Sequence, residues 1–430
     1  MRQRHQISIP LIGVPMIYAV VTLVCGIVFP RLEFHYLGNY RHGMTVAVAT
    51  AAFSAVASGM LALTAIVFSL AFIMVQFSSS AYSPRLVLWL SRDPFIWHAL
   101  GIFMATFLFA IVALGWVDRN GSGQVPFFST WVVILLLIAS VLVLARLVQR
   151  LTMLQVTEVL YFISQKGQQV VGATYPPLAG IGPTRSDHDQ SPKPPPAVPP
   201  VTQTITHTGA PLAIAAYDVP ALVSLATQVG GVIVLSYAVG DMVLEGDTLL
   251  SVTDGQCALP EAALRRAVQL QRERTFEQDP KYALRLLVDI AIKALSPAIN
   301  DPTTAVQALD HIEDLLRRLA SRRLDVGQVQ DGDGTLRLIF PTPTWGDFLM
   351  LAFDEIRFCG ATSLQVMRRL RTALFDLARL APPDKRELVQ RYIAHLDTTV
   401  KAAITDPEDQ REALERDRQG LGLSRQPPLR

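Results

Sequence analysis

A chain of 430 residues has room for more than one folded unit, yet only 17% of it is charged, against about 25% in an average soluble protein. A net charge of +2 leaves no basic excess to hold nucleic acid, and three cysteines give no disulfide framework. Most of the charge lies after Ala145, so the chain reads as half membrane and half soluble.

Four stretches in the first third are long and uncharged enough to cross a bilayer: 9–29, 44–77, 96–117 and 127–145. From Gly43 to Pro84 there is no Asp, Glu, Lys, Arg or His. A helix over 44–77 is about 50 Å long at ~1.5 Å per residue, more than the roughly 30 Å of hydrocarbon it must cross. The second span is therefore expected to tilt or to run past the lipid. Trp97 and Trp116 bracket the third span, Trp131 opens the fourth, and Tyr36 and Tyr40 follow the first, as an interfacial belt requires.

Arg2, Arg4, Arg85, Arg92, Arg146 and Arg150 fall on one side of this topology. The excess predicts a multi-pass protein of the bacterial inner membrane with both termini cytoplasmic; Arg31 and Arg41, in the first outside loop, weaken the bias. The first span is too long for a signal peptide and reads as a retained anchor. No ionisable residue sits at the centre of a span, which argues against proton-coupled transport. Span two carries small residues on one stripe: Ala47, Ala51, Ala55, Ser58, Ala62, Ala65 and Ser69. Such a stripe lets helices pack closely in lipid, or lines a narrow pore when several copies surround an axis.

A connecting helix is expected over 151–175, then a Pro-rich linker over 176–203 containing Pro192-Lys193-Pro194-Pro195-Pro196. Strand-like runs at 204–206, 212–214, 232–235 and 248–252, interrupted by a short helix over 218–229, predict a small β sandwich or barrel-like module over 204–259. The stretch 239–249 is similar to the turn-rich hairpin of biotinyl and lipoyl carrier domains. No lysine occurs between Lys193 and Lys281 to carry a prosthetic group, so the module is expected to be structural.

An α-helical domain is expected over 260–420, with helices near 302–322, 345–358, 363–380 and 384–404 and a disordered tail after 421. The fold class is thus a four-helix membrane domain joined to a cytosolic α+β region. Asp-Pro recurs at Asp93, Asp279, Asp301 and Asp406, each before a helical pattern, as an N-cap with proline in the first turn.

The most distinctive stretch is Ser296-Pro297-Ala298-Ile299-Asn300-Asp301-Pro302-Thr303-Thr304-Ala305. Together with Leu287-Val288-Asp289-Ile290-Ala291, the segment 274–279, Gly240-Asp241-Met242-Val243 and Gln76-Phe77-Ser78-Ser79-Ser80-Ala81-Tyr82-Ser83-Pro84-Arg85, it resembles a family of bacterial predicted membrane proteins. That family is designated domain of unknown function twenty-two fifty-four. The likeness runs over nearly the whole chain apart from the Pro-rich insertion. It implies an inner-membrane location and a cytosolic C-terminal region, and it supplies no activity and no site residues to carry over.

No catalytic motif is present, neither a nucleophile elbow, a Walker loop, a zinc-protease motif nor paired cysteines. The expectation is a protein without catalytic residues, metal or cofactor. His311 stands beside Asp310 and near Glu313 and Asp314, but a helix turns it away from the face of Asp310 and Asp314, for which Arg317 and Arg318 are simpler partners than a metal ion. Arginines at 317, 318, 322 and 323, and at 368, 369 and 371, are read as solvated faces or subunit contacts before lipid-headgroup contacts.

Two functions remain open. One is a homo-oligomeric channel whose path is lined by Ser58, Ala62, Ala65, Ser69 and Gln76 and which a cytosolic domain gates or assembles. The other is a membrane-anchored regulatory or scaffold protein that binds a cytosolic partner or small ligand. Candidate motif residues are Ser296, Pro297, Asn300, Asp301, Pro302, Thr303 and Thr304, and Tyr82, Ser83, Pro84 and Arg85. The partners expected are the lipid bilayer and further copies of the chain.

Overall fold

The computed structural model describes residues 13–36, 44–81, 94–119, 124–151, 156–178 and 200–423. The chain divides into two compact units, residues 1–155 and 156–430.

The first unit contains helices α1 (Gly13–Tyr36), α2 (Val46–Ala81), α3 (Pro94–Leu114) and α4 (Phe127–Leu151), each with a stretch long and apolar enough to cross a membrane. Their outer faces carry Val20, Val24, Ile27, Leu61, Phe68, Leu135, Ile138 and Leu142, all exposed. In water so large an apolar surface is untenable, but in a bilayer it is the face turned to lipid.

Helix α3 is the hub, with α1, α2 and α4 all packed on it. Lipid supplies no hydrophobic drive between helices, so close approach and hydrogen bonds must hold them. Both are present. A Cβ added at Gly101 would lie 2.6 Å from Cδ2 of the Tyr18 ring, and one at Gly26 would lie 3.0 Å from Cγ1 of Val112. The Thr106 and Ser140 hydroxyls meet at 2.9 Å between α3 and α4, and the Tyr18 hydroxyl lies 3.2 Å from Nδ1 of His98.

The buried carboxylate of Glu33, near the end of α1, accepts from the backbone N–H groups of Phe128 (3.0 Å) and Ser129 (3.3 Å). It thereby caps the N-terminus of α4, where free donors and the helix dipole favour an anion. Sequence reasoning had no signal for this residue, because its partners are backbone groups 95 and 96 positions away.

The second unit is helical with a mixed α/β part. Its elements are α5 (Val156–Thr174), β1 (Val201–Thr206), β2 (Leu212–Tyr217), α6 (Val219–Val229), β3 (Val232–Leu235), β4 (Met242–Val243), β5 (Thr248–Thr253), α7 (Glu261–Ala267) and β6 (Val268–Gln271). There follow α8 (Pro280–Ala294), α9 (Pro302–Ala320), β7 (Gln328–Gln330), β8 (Leu336–Ile339), α10 (Trp345–Cys359), α11 (Leu364–Leu380), α12 (Pro383–Ala403) and α13 (Pro407–Ala413).

Two small sheets form, ordered β1-β5-β3-β8-β7 and β4-β2-β6, with only the β3–β8 pair parallel. Ile205, Leu222, Ile233, Leu250, Leu264 and Leu338 are buried together against them. The helical core is built from Leu284, Leu287, Leu309, Ile312, Leu316, Phe348, Ile356, Leu370 and Leu374.

The carrier-like hairpin expected at 239–249 does not form. Strand β4 pairs with β2, whereas β5 pairs with β1 and β3, so the two sides of the turn enter different sheets. The cause is local. His207 and the Gly246-Asp247 turn exchange backbone hydrogen bonds, His207 N to Asp247 O at 2.7 Å and Gly246 N to His207 O at 2.9 Å, which carries β5 toward β1. Strands β6, β7 and β8 all lie beyond residue 260, so the helical stretch contributes to both sheets.

Close packing at Gly101 is testable. Gly101→Ala is expected to lower the thermal midpoint of the protein in detergent, by the equivalent of about 1–3 kcal/mol for an overpacked contact. Gly59→Ala, whose added carbon meets nothing within 4 Å, is expected to leave the midpoint unchanged or raise it, since alanine favours a helix over glycine. Equal behaviour of the two variants overturns the packing argument.

Candidate functional site

Among the described residues the small-residue stripe of α2 is exposed, on the side away from its packing partner. Phe53, Ala57, Met60 and Val67 are the buried side, set against Phe109, Ala110 and Ala113 toward one end of α3 and Ala99, Leu100 and Phe103 toward the other. At ~100° per residue, Ala47, Ala51, Ala55, Ser58, Ala62, Ala65 and Ser69 fall on roughly the opposite face. All seven are exposed. Gln76 continues the same face two turns later and is exposed as well. The Ser58 hydroxyl donates to the backbone oxygen of Ser54 at 2.9 Å, so its polarity is partly masked by its own helix. Tyr82, Ser83, Pro84 and Arg85 lie outside the described residues.

The stretch 296–304 forms the turn between α8 and α9. The Ser296 hydroxyl donates to Lys293 O at 2.7 Å, and Asn300 adopts a positive φ of 50°. Asp301 N donates to Ala294 O at 2.8 Å, while the Asp301 carboxylate accepts from Thr304 N at 3.1 Å and from the Thr304 hydroxyl at 2.5 Å. Pro302 opens α9 in the first turn. Pro297, Ala298, Ile299, Asn300 and Thr303 are exposed. The Ser296 and Thr304 hydroxyls and the Asp301 carboxylate are thus spent on capping and reversing the chain. Asp279 and Asp406 cap α8 and α13 in the same way, with proline in the first turn; Asp93 lies outside the described residues.

Two other sequence motifs converge. Asp279 is buried at 1% exposure, and its Oδ2 receives Arg274 Nε at 2.8 Å and Nη2 at 2.7 Å. A Cβ at Gly240 would lie 2.2 Å from that same oxygen, and Gly240 has φ 92°. Only glycine meets both demands. Arg274 also lies over the Tyr282 ring at 5.5 Å, and Lys281 reaches Asp241 at 3.5 Å. Burial pushes the Asp279 carboxyl up from its ordinary value, against the pull of Arg274. A buried ion pair seals this junction, and its polar atoms face one another.

The arginines are used inside the molecule. Arg369 pairs with Asp310 at 2.7 Å and Glu313 at 2.6 Å, Arg368 with Glu412 at 2.6 Å, and Arg371 with Asp397. Arg318 pairs with Asp314 at 3.1 Å, and the Arg322 guanidinium donates to Tyr175 O at 2.8 Å. Arg285 joins Asp289 and the α10 residue Glu355, each at 2.7 Å. Among the described residues no group of His, Cys, Asp and Glu is arranged to hold a metal ion.

The family model described as "Predicted membrane protein (DUF2254)" matches residues 10–376. Uncharacterized proteins of Mycobacterium tuberculosis and Mycobacterium bovis are 27% identical to this chain over 419 residues, covering 94% of it and 76% of each relative. No solved structure matches.

The two capped turns are expected to respond differently to substitution. Asp301→Ala removes one cap and is expected to cost about 1 kcal/mol. Asp279→Ala strands Arg274 as well and is expected to cost about 3 kcal/mol. Denaturant unfolding in detergent measures both; equal losses overturn the distinction.

Proposed function

The chain belongs to the DUF2254 family of predicted membrane proteins. We propose that it forms a homo-oligomeric pore in the bacterial inner membrane. In this reading α2 faces the axis and the unit beginning at Val156 lies in the cytosol, where it assembles or gates the path. The observation that carries it is the exposed stripe from Ala47 to Ser69 on the side of α2 turned away from α3. Small side chains on an unpacked helix face permit close approach by other copies. Hydroxyls at Ser58 and Ser69 add polarity to that face, the Ser58 hydroxyl already donating to its own helix, and Gln76 continues it toward the end of the helix.

Four helices in one chain are too few to enclose a conduit, so the reading needs several copies. The arginines at 2, 4, 85, 92, 146 and 150 support cytoplasmic termini. No catalytic step is assigned, and the small sheets act as scaffold.

Cysteine cross-linking tests it in full-length protein whose Cys25, Cys257 and Cys359 are replaced by serine. Ser58→Cys and Ser69→Cys are expected to give disulfide-linked dimers in the membrane on oxidation. Val67→Cys, 1% exposed and turned to α3, is expected to give none. Ala62→Trp is expected to abolish the conductance measured in planar bilayers. A monomeric native mass with no cross-links and no conductance overturns the pore and favours the anchored scaffold.

A further inference from the structure

The turn that closes α3 holds a cation that the first unit does not use. The 21 residues of α3 make about 31 Å at ~1.5 Å per residue, which matches the roughly 30 Å of hydrocarbon in a bilayer. Leu114 therefore ends the helix at the edge of the apolar layer. Residues 115–119 then fall in the head-group layer, about 5–8 Å deep on each side.

Aromatic rings organise this level. Phe34 of α1 lies against Trp116, with ring centroids 6.1 Å apart and planes 25° from parallel. The Arg119 guanidinium stands over the Trp116 ring, with Cζ 4.1 Å from the centroid. Glu33, beside Phe34 in the chain, is spent on the N–H groups of Phe128 and Ser129 and is not a partner for the arginine. Among the described residues no carboxylate pairs with Arg119 and no acceptor takes its guanidinium N–H groups, and the side chain is exposed. Arg31, exposed on α1 three residues before Phe34, has no such ring beneath it among the described residues.

We infer that Arg119, seated on Trp116, binds the phosphodiester of an anionic bilayer phospholipid. The acceptor that the surroundings offer at head-group depth is phosphate. Paired N–H groups of a guanidinium match two phosphate oxygens, and contact with the indole face holds the cation in place. A zwitterionic head group carries its own cation beside the phosphate and gains less from Arg119 than one that carries none. The inference stands whether or not the chain forms a pore.

The full-length protein in dodecyl maltoside serves for the test, with dioleoyl phosphatidylglycerol as the probe. The lipid is expected to raise the thermal midpoint, and dioleoyl phosphatidylcholine to raise it less. Arg119→Gln changes an exposed side chain, and its midpoint without lipid checks that it folds. In this variant the phosphatidylglycerol concentration that half-saturates the rise is expected to increase about fivefold or more, the share of one basic residue at an anionic lipid surface. Arg119→Lys, which keeps the charge but not the paired donors, is expected to fall between the two, and Arg31→Gln to match wild type. An equal half-saturating concentration in wild type and Arg119→Gln overturns the site. An equal loss in Arg31→Gln marks attraction by surface charge alone and overturns it as well. The same rise from inorganic phosphate at matched ionic strength marks a free-anion site and overturns the lipid, and an equal response to phosphatidylcholine overturns the preference for an anionic one.

Discussion

The first unit depends on how helices hold one another when the surrounding solvent is as apolar as they are. In lipid the burial of leucine against leucine gains little, so association rests on backbone approach and hydrogen bonds. Helix α3 collects both: its Gly101 admits the Tyr18 ring, and its Thr106 bonds Ser140. Glu33 adds an anion at the start of α4 and so ties α1 directly to it. The consequence falls on α2, whose contacts within the unit are almost all with α3 and therefore occupy only one side. Its remaining perimeter must be met by lipid or by another chain.

The second unit is organised by the opposite condition. Water drives its apolar side chains inward, and the charges carried in with them need partners. Arg274 with Asp279, Arg369 with Glu313 and Arg285 with Asp289 and Glu355 are ion pairs at junctions between elements, not ornaments of the surface. A pair buried in this way adds little net stability over apolar packing, yet removing one partner is costly because a charge is left stranded. Such pairs therefore fix which elements meet. The turn at 296–305 follows the same economy with neutral and charged groups alike, since Asp301, Thr304 and Ser296 satisfy donors and acceptors that the chain reversal would leave open.

How much of this was legible in the residues depends on the range of the interaction. The four apolar spans and the capped starts at Asp279, Asp301 and Asp406 could be read because each rests on neighbours within a few positions. The soluble helices were placed to within a few residues for the same reason. The sheet order was hidden: β8 pairs in parallel with β3 across about a hundred residues, and no local pattern announces that partnership. Gly240 looked like a turn glycine and its positive φ agrees, yet its second requirement comes from Asp279, which only the fold brings beside it. Arg369 looked like surface because its carboxylate partners lie on another helix, 56 and 59 positions away for Glu313 and Asp310.

The length of α2 bears on what a path along its stripe can do. The 25 residues from Val46 to Leu70 form the apolar window, and at ~1.5 Å per residue they make about 37 Å, enough to cross the hydrocarbon with some tilt. Gln76 then lies about 10 Å beyond Ser69 along the helix, at or past the polar edge of the bilayer. In the proposed pore the narrow part is consequently walled by alanine methyls and serine hydroxyls, with no ring of charge. Such a wall discriminates by diameter and by the ease of wetting, not by the sign of an ion. Any preference between ions then has to arise outside the span, where Gln76 stands at the mouth.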